Sequence, residues 1–268
     1  MMMNNTCVAF GTFEFVHKGH IKIAETVVKT AKEKGLTSVI VSLEKEGKVF
    51  TTEEEKEYLL KSLGVEMFLS VGTLEIENLI QSLAAKVVVV GEQDPQLKLM
   101  QKVTAQNQIE LVVVPSVYYE GEIITTQSVQ DSYERSDYKY MMDLCGHPYI
   151  MIGEVVHGKK LGRTENMPTA NIEVAPEKKK PKHAVYGAKV RLGEEVLEAV
   201  VNIGKRPTVD DFDYTTIEAL LLDFNRQIYG EKLVLEIHSF IREIQKFDSL
   251  AEVKEQVDKD IKELQILL

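Results

Sequence analysis

The chain has 268 residues, 44% of them hydrophobic, with a formal net charge of −10 and a pI near 5.2. That length suits one large domain or two ordinary ones, and the acidic balance argues against a nucleic-acid partner held by electrostatics. The only two cysteines, Cys7 and Cys145, stand far apart and outside any metal-type spacing, no apolar run reaches a membrane span, and MMMNNTCVAF has no signal-peptide pattern, so a cytoplasmic protein without a membrane partner is expected.

The first half alternates in type. An apolar run at 6–13 reads as a buried strand, and Ile21, Ala24, Val27, Val28 and Ala31 recur at helical spacing up to Lys34. Strands are predicted at 38–43, 67–71, 87–91 and 109–115, with helices at 53–63, 74–83 and 97–108 between them. VVVVG at 87–91 reads as a central strand buried on both faces. Strands alternating with helices predict a doubly wound parallel sheet with right-handed crossovers. Ligands of such sheets sit at the carboxyl ends of the strands, near the switch point.

His17-Lys18-Gly19-His20 falls there, after the first strand and at the start of the first helix. Free amides at a helix N-terminus attract anions, two imidazoles add donors, and a glycine lets a phosphate approach. Alone, the four residues could be two solvated loop histidines. Their placement after the first strand favours nucleotide binding. With Gly11-Thr12-Phe13 at the strand end, the pattern resembles the HxGH signature of the nucleotidylyltransferase superfamily, which would make Gly11, Phe13, His17, Gly19 and His20 nucleotide-binding residues.

From Gly146 onward the chain runs in short β-rich pieces, at 150–156, 170–174, 185–191, 197–202, 215–224 and 232–241, punctuated by turn residues. These predict an antiparallel barrel or sandwich, closed by a terminal helix that Ser249 and Glu252 would cap. A helix near 138–144 joins the halves, giving expected domains 1–137 and 138–268. The basic stretch Lys178–Lys182 reads as a solvated loop. Within this half, Pro168 suits the first residue of a strand, so that Thr169 and Asn171 project from one face and Ala170, Ile172 and Val174 pack on the other. A hydroxyl and an amide oxygen side by side are hard ligands, suited to phosphate-bound Mg²⁺, although a lone Thr-Asn pair could equally satisfy a turn. Asn202 follows on a strand ended by Gly204 and Pro207. Glu218 is a carboxylate within the apolar run TTIEALLLDF. It could be an edge-strand residue facing water or a general base for a hydroxyl nucleophile. No GxxxxGK[ST] sequence is present, so kinase chemistry here would not be of the P-loop kind.

The ordered landmarks Gly146-His147-Pro148-Tyr149, Gly153–Gly158, Gly162-Arg163, Pro168–Asn171, Val185-Tyr186-Gly187, Asn202-Ile203-Gly204, Arg206-Pro207-Thr208, Glu218, Leu222-Asp223-Phe224, Tyr229-Gly230, Arg242 and Lys246-Phe247 cover the whole second half. It resembles the riboflavin kinase domain of the prokaryotic bifunctional riboflavin kinase/FMN adenylyltransferases. The resemblance implies a Greek-key β-barrel with a C-terminal helix, binding riboflavin and Mg-ATP and releasing FMN and ADP. It implies that Thr169 and Asn171 hold Mg²⁺ and ATP phosphates, with Gly162 and Asn202 also at the nucleotide. Glu218 would activate the ribityl 5′-hydroxyl, and Arg242 would lie near the flavin.

The first half is similar to the family's adenylyltransferase domain over 7–130, with departures at three places expected to surround one site. Glu14-Phe15 stands for Asp-Gly, Gln93–Leu97 for an Asp-Phe followed by Phe-Gly, and Thr125–Asp131 lacks the arginine that ends the family's Ile-Ser-Ser-Thr stretch. Three readings follow: a riboflavin kinase with weakened adenylyl transfer, a fully bifunctional enzyme making FMN and FAD, or a non-catalytic flavin-binding regulator. The intact Thr169, Asn171 and Glu218 speak against the last.

Overall fold

A computed structural model describes residues 5–72, 76–157, 169–205 and 215–267. They form two compact units, one of residues 1–129 with 144–146, the other of residues 130–143 and 147–268.

Unit 1 is a parallel sheet of five strands, β1 (Thr6–Gly11), β2 (Thr37–Leu43), β3 (Met67–Val71), β4 (Ala85–Gly91) and β5 (Glu110–Val114), in the order β3-β2-β1-β4-β5. Helices α1 (Lys18–Lys34), α2 (Glu53–Ser62), α3 (Ile76–Ser82) and α4 (Leu97–Asn107) alternate with them. The order reverses between β1 and β4, so the switch point opens where these two strands end. Val8 sits between Val39 and Val88 in register, and β1 and β4 are buried almost throughout. One face packs Ile76, Leu79, Ile80, Met100 and Val103 from α3 and α4 against Val8, Val39, Val41, Val88 and Val90. Helix α2 begins at a reciprocal cap: Glu55 N–H donates to Thr52 Oγ1 at 3.3 Å, and Thr52 N–H donates to Glu55 Oε2 at 2.8 Å.

The first strand is shorter than the apolar pattern predicted. It stops at Gly11, because Phe13, Phe15 and Val16 take left-handed backbone angles and the chain turns through a single 3₁₀ turn into α1. A small hairpin, β6 (Tyr118–Tyr119) with β7 (Glu122–Ile123), and a helix α5 (Thr126–Glu134) escaped the periodicity argument, since neither has room for a repeating pattern.

Unit 2 holds α6 (Tyr138–Cys145, whose last residues fall in unit 1) and a closed antiparallel barrel. Its strands are β8 (Tyr149–Val156), β9 (Thr169–Val174), β10 (Ala184–Leu192), β11 (Glu195–Lys205), β12 (Thr215–Leu221) and β13 (Lys232–Glu243), closing in the order β10-β11-β12-β9-β8-β13. Inward positions alternate with outward ones, as Ala170, Ile172 and Val174 on β9 and Ile217, Ala219 and Leu221 on β12 show. Helix α7 (Leu250–Leu267) covers the outer wall of β10, β11 and β13, burying Leu264 among Val185, Val200 and Ile241. Glycine at 187 permits that approach, since a Cβ there would stand 2.9 Å from Leu264 and 2.5 Å from Ser239 Oγ. The cap of α7 is half as drawn from sequence: Glu252 N–H donates to Ser249 Oγ, whereas the Glu252 carboxylate accepts from Asp248 N–H.

The Lys178–Lys182 stretch is not the solvated loop expected. Lys178 is 2% exposed, its Nζ donating to Ile150 O at 2.7 Å over the Tyr149 ring, and Lys180 Nζ donates to Thr215 O at 3.0 Å. The long stems pack and the ammonium groups cap carbonyls. No helix among the described residues is long and apolar enough to cross a membrane.

Candidate active sites of the two units

On the barrel, the pairing register brings distant polar residues into one row. Asn202 on β11 is directly opposite Glu218 on β12, and Glu218 is directly opposite Asn171 on β9. Directly paired residues have Cβ atoms about 4.5–5.5 Å apart. All three lie at outward positions of their strands, with Asn202 exposed and Glu218 and Asn171 half-buried. Thr169, two residues before Asn171, projects from the same face and is exposed. Glu218 is therefore not on an edge, because β12 is hydrogen-bonded on both sides in a closed barrel. It is an outward carboxylate on the wall next to the one α7 covers.

Arg242 is held by the terminal helix. Its Nε and Nη2 donate to the two oxygens of Asp260 at 2.8 and 2.7 Å, and Nη1 donates to Glu243 O. Asp260 is 1% exposed, so this forked pair fastens α7 to β13. Gly162, Arg163, Pro168 and Arg206-Pro207-Thr208 lie outside the described residues.

In unit 1, a cleft of about 440 Å³ opens at the carboxyl ends of β1, β4 and β5. Gly11, Phe13, His17, Gly19 and His20 all line it, as the strand-end argument predicted. The two imidazoles stack with centroids 3.7 Å apart, and Phe13 lies against His20 at 5.2 Å. A Cβ on Gly19 would come within 3.0 Å of His17 Cε1, so glycine here makes room for the imidazole itself. His20 is held neutral well below its ordinary 6.5, first by desolvation, then by the charges of His17 and Lys56, with a hydrogen bond to the Glu14 backbone opposing.

The three departures do not all meet. Gln93–Gln96, Thr125 and Thr126 line the cleft, but Glu14 and Phe15 do not. Glu14 is buried, accepting from Phe50 N–H at 3.1 Å and facing Lys56 Nζ at 3.9 Å, and Lys56 also donates to Glu53 at 2.6 Å and to Ser42 at 3.2 Å. Phe15 occupies the left-handed region (φ 61°) that a glycine would take without strain, and its ring stacks on Phe50 at 4.5 Å. Sequence reasoning missed Glu92 and Ser116 as lining residues. The available signal was their place just after β4 and β5, at the ends where parallel sheets bind.

Two family models match the chain. One, for riboflavin kinase, covers residues 145–268, and one described as cytidylyltransferase-like covers residues 8–139. The chain belongs to the bifunctional riboflavin kinase/FMN adenylyltransferase family. The Bacillus subtilis bifunctional riboflavin kinase/FMN adenylyltransferase is 29% identical over 96% of this chain and 90% of its own, and the Escherichia coli K12 protein of that name is 28% identical over 95% and 90%. A solved structure from Streptococcus pneumoniae, titled a macrolide-efflux protein, superposes with a TM-score of 0.80 at 25% identity, over 98% of this chain and 94% of that one. In this family, ATP is the phosphate donor to riboflavin, and the parallel-sheet and barrel architectures expected from sequence are those of its two halves.

Proposed function

We propose that the chain transfers the γ-phosphate of ATP to the ribityl 5′-hydroxyl of riboflavin, giving FMN and ADP. The observation that carries this is the row Asn202, Glu218, Asn171 with Thr169, set outward on three adjacent strands of a barrel that matches the riboflavin kinase family. Glu218 accepts the proton of the 5′-hydroxyl as that oxygen bonds to the γ-phosphorus, and the bond from the γ-phosphorus to the bridging oxygen breaks to release ADP. Among the described residues no three His, Cys, Asp or Glu side chains cluster into a metal cage. The neutral oxygens of Thr169 and Asn171 fit Mg²⁺ instead, which binds through one or two protein groups plus substrate phosphates. Bound there, Mg²⁺ would neutralise charge on the transferred phosphoryl group. Asn202 orients the nucleotide from the other side of Glu218, and Gly162 is assigned to the nucleotide by family position alone. Arg242, with α7, is assigned to the flavin side by family position.

We assign this activity to residues 138–268 and the adenylyltransferase-like half to 1–137. The buried free thiols of Cys7 and Cys145 support a reducing, cytoplasmic setting. Adenylyl transfer from ATP to FMN is the weaker activity in our reading. The motivation is that no lysine or arginine lines the unit 1 cleft among the described residues: Lys18 lies over the Tyr119 ring instead, and Lys98 is on the exposed side of α4. A departing pyrophosphate needs cationic donors. The test is riboflavin-dependent ADP release by the parent, Thr169→Ala and Asn171→Ala, each variant checked for fold by circular dichroism. Both folded variants should lose most of the rate, and unchanged turnover in both would remove the metal assignment.

A further inference from the structure

Strand β12 carries Glu218 close to the end of its seam with β9. Among the described residues that seam runs from Leu220 opposite Thr169 to Ile217 opposite Ile172, so the Glu218–Asn171 pair lies one step from where the ladder stops. On its other side β12 stays paired with β11 down to its first residue, Thr215 opposite Lys205, and Thr216 Oγ1 donates to Gly204 O at 3.2 Å. Ladders open first from their ends, where backbone groups have the fewest partners. Opening past Ile217 would part Glu218 from Asn171.

Two side chains take over where that ladder ends, both from the segment between β9 and β10. Lys180 Nζ donates to Thr215 O at 3.0 Å, and His183 Nε2 lies 3.1 Å from Thr215 Oγ1. Glu218 stands three residues on, about 10 Å along the strand. The segment is itself fixed to the other strands. Lys178 Nζ donates to Ile150 O on β8 at 2.7 Å, Tyr149 Oη donates to Lys179 O at 2.6 Å, and Tyr186 Oη on β10 donates to Lys182 O at 2.7 Å. Lys182 pairs at 2.9 Å with Glu243, the last residue of β13. Through this braced segment Thr215 is tied to β8, β10 and β13, which its own ladder does not reach.

We propose that Lys180 and His183 are positioning residues for phosphoryl transfer: by holding Thr215 they keep the start of β12 in register, and with it Glu218 beside Asn171 and Asn202. This rests on the reading of Glu218 as the general base. A catalytic group misplaced by about 1 Å can cost on the order of 10²-fold in rate. Loss of either tie therefore appears in kcat rather than in substrate binding.

Riboflavin phosphorylation is measured on the full-length parent and its variants, each checked for fold by circular dichroism and thermal melting. Lys180→Met, His183→Ala and Thr215→Val should each lower kcat about tenfold, with the KM values for riboflavin and Mg-ATP changed less than about twofold. His183→Gln, whose amide donates or accepts at a similar reach, should restore most of the parental kcat. Lys182→Ala, in the same segment but directed at Glu243 and the Phe240 ring, should keep the parental rate. Added to Glu218→Gln, His183→Ala should cost less than about twofold more, because a base already removed cannot be misplaced. The same loss in both backgrounds, a raised KM with kcat unchanged, or parental kcat in folded Lys180→Met and His183→Ala overturns the inference. Should His183→Ala fail to fold, Thr215→Val, which keeps the shape and loses only the hydroxyl, takes its place in both backgrounds. A slow Glu218→Gln beside unimpaired Lys180 and His183 variants removes the positioning role alone, whereas parental turnover in Glu218→Gln removes the general-base reading and this inference with it.

Discussion

Lys56 lies wholly out of water between Glu14 and Glu53, and that arrangement decides what its loss would do. Removing one partner of a buried pair costs roughly 3–5 kcal/mol, because the other charge is left desolvated, whereas an apolar replacement of the whole pair can be nearly neutral. Lys56→Met should therefore lower the denaturation midpoint sharply, and adding Glu14→Gln should recover much of the loss. Equal midpoints for parent and Lys56→Met would show that water reaches the site. His20 adds a pH dependence of definite sign. Its native ring stays neutral while the unfolded ring takes a proton below 6.5, so stability falls as pH drops through 6.5. His20→Asn should flatten that part of the curve, read from thermal melts between pH 5 and 8. Glu218→Gln keeps the shape and removes the base, a loss typically worth about 10²–10⁴ in rate. Unchanged turnover with unchanged pH dependence would make the carboxylate structural. Thr169 and Asn171 were legible as a pair because a strand has period two and the residues between them are apolar. The Glu14–Lys56 contact was not, since it joins a turn after β1 to the first turn of α2 and leaves no local pattern.

At the scale of elements, α7 is held to the barrel by close approach and by one forked ion pair. Asp260 is buried and accepts from Arg242 and from Gln256 Nε2 at 2.9 Å. Asp260→Ala strands the guanidinium, so amide exchange in α7 should accelerate while β1–β5 keep their protection. Uniform acceleration would mean that α7 is no separate element. Gly187→Ala probes the same seam from below, where the extra methyl meets Ser239 and Leu264, and overpacking of this kind costs about 1–3 kcal/mol. The terminal helix was readable from its apolar spacing, and the strands from their alternation and turns. The Arg242–Asp260 pair was not legible, because sequence position carries no information on which partner a long side chain chooses. The Lys178–Lys182 stretch misled for a related reason: composition marks a lysine run as solvated, but stems can be buried and ammonium groups spent on carbonyls.

For the whole molecule, the two halves were separable in the sequence because their hydrophobic periods differ, alternating β and α before residue 130 and almost wholly β after residue 148. Their chemistry separates by charge. The barrel offers neutral oxygens and one carboxylate, which suits a metal-bound triphosphate and a hydroxyl nucleophile. The parallel sheet offers two carboxylates, two imidazoles and a helix terminus at its strand ends. Compensation is visible at one departure, where Phe15 adopts the left-handed turn a glycine would take. The direct measurement is to incubate the protein with riboflavin, ATP and Mg²⁺ and to separate the flavins chromatographically over time. The account predicts that FMN accumulates with matching ADP while FAD lags far behind; no FMN, or FAD formed as fast as FMN, would contradict it.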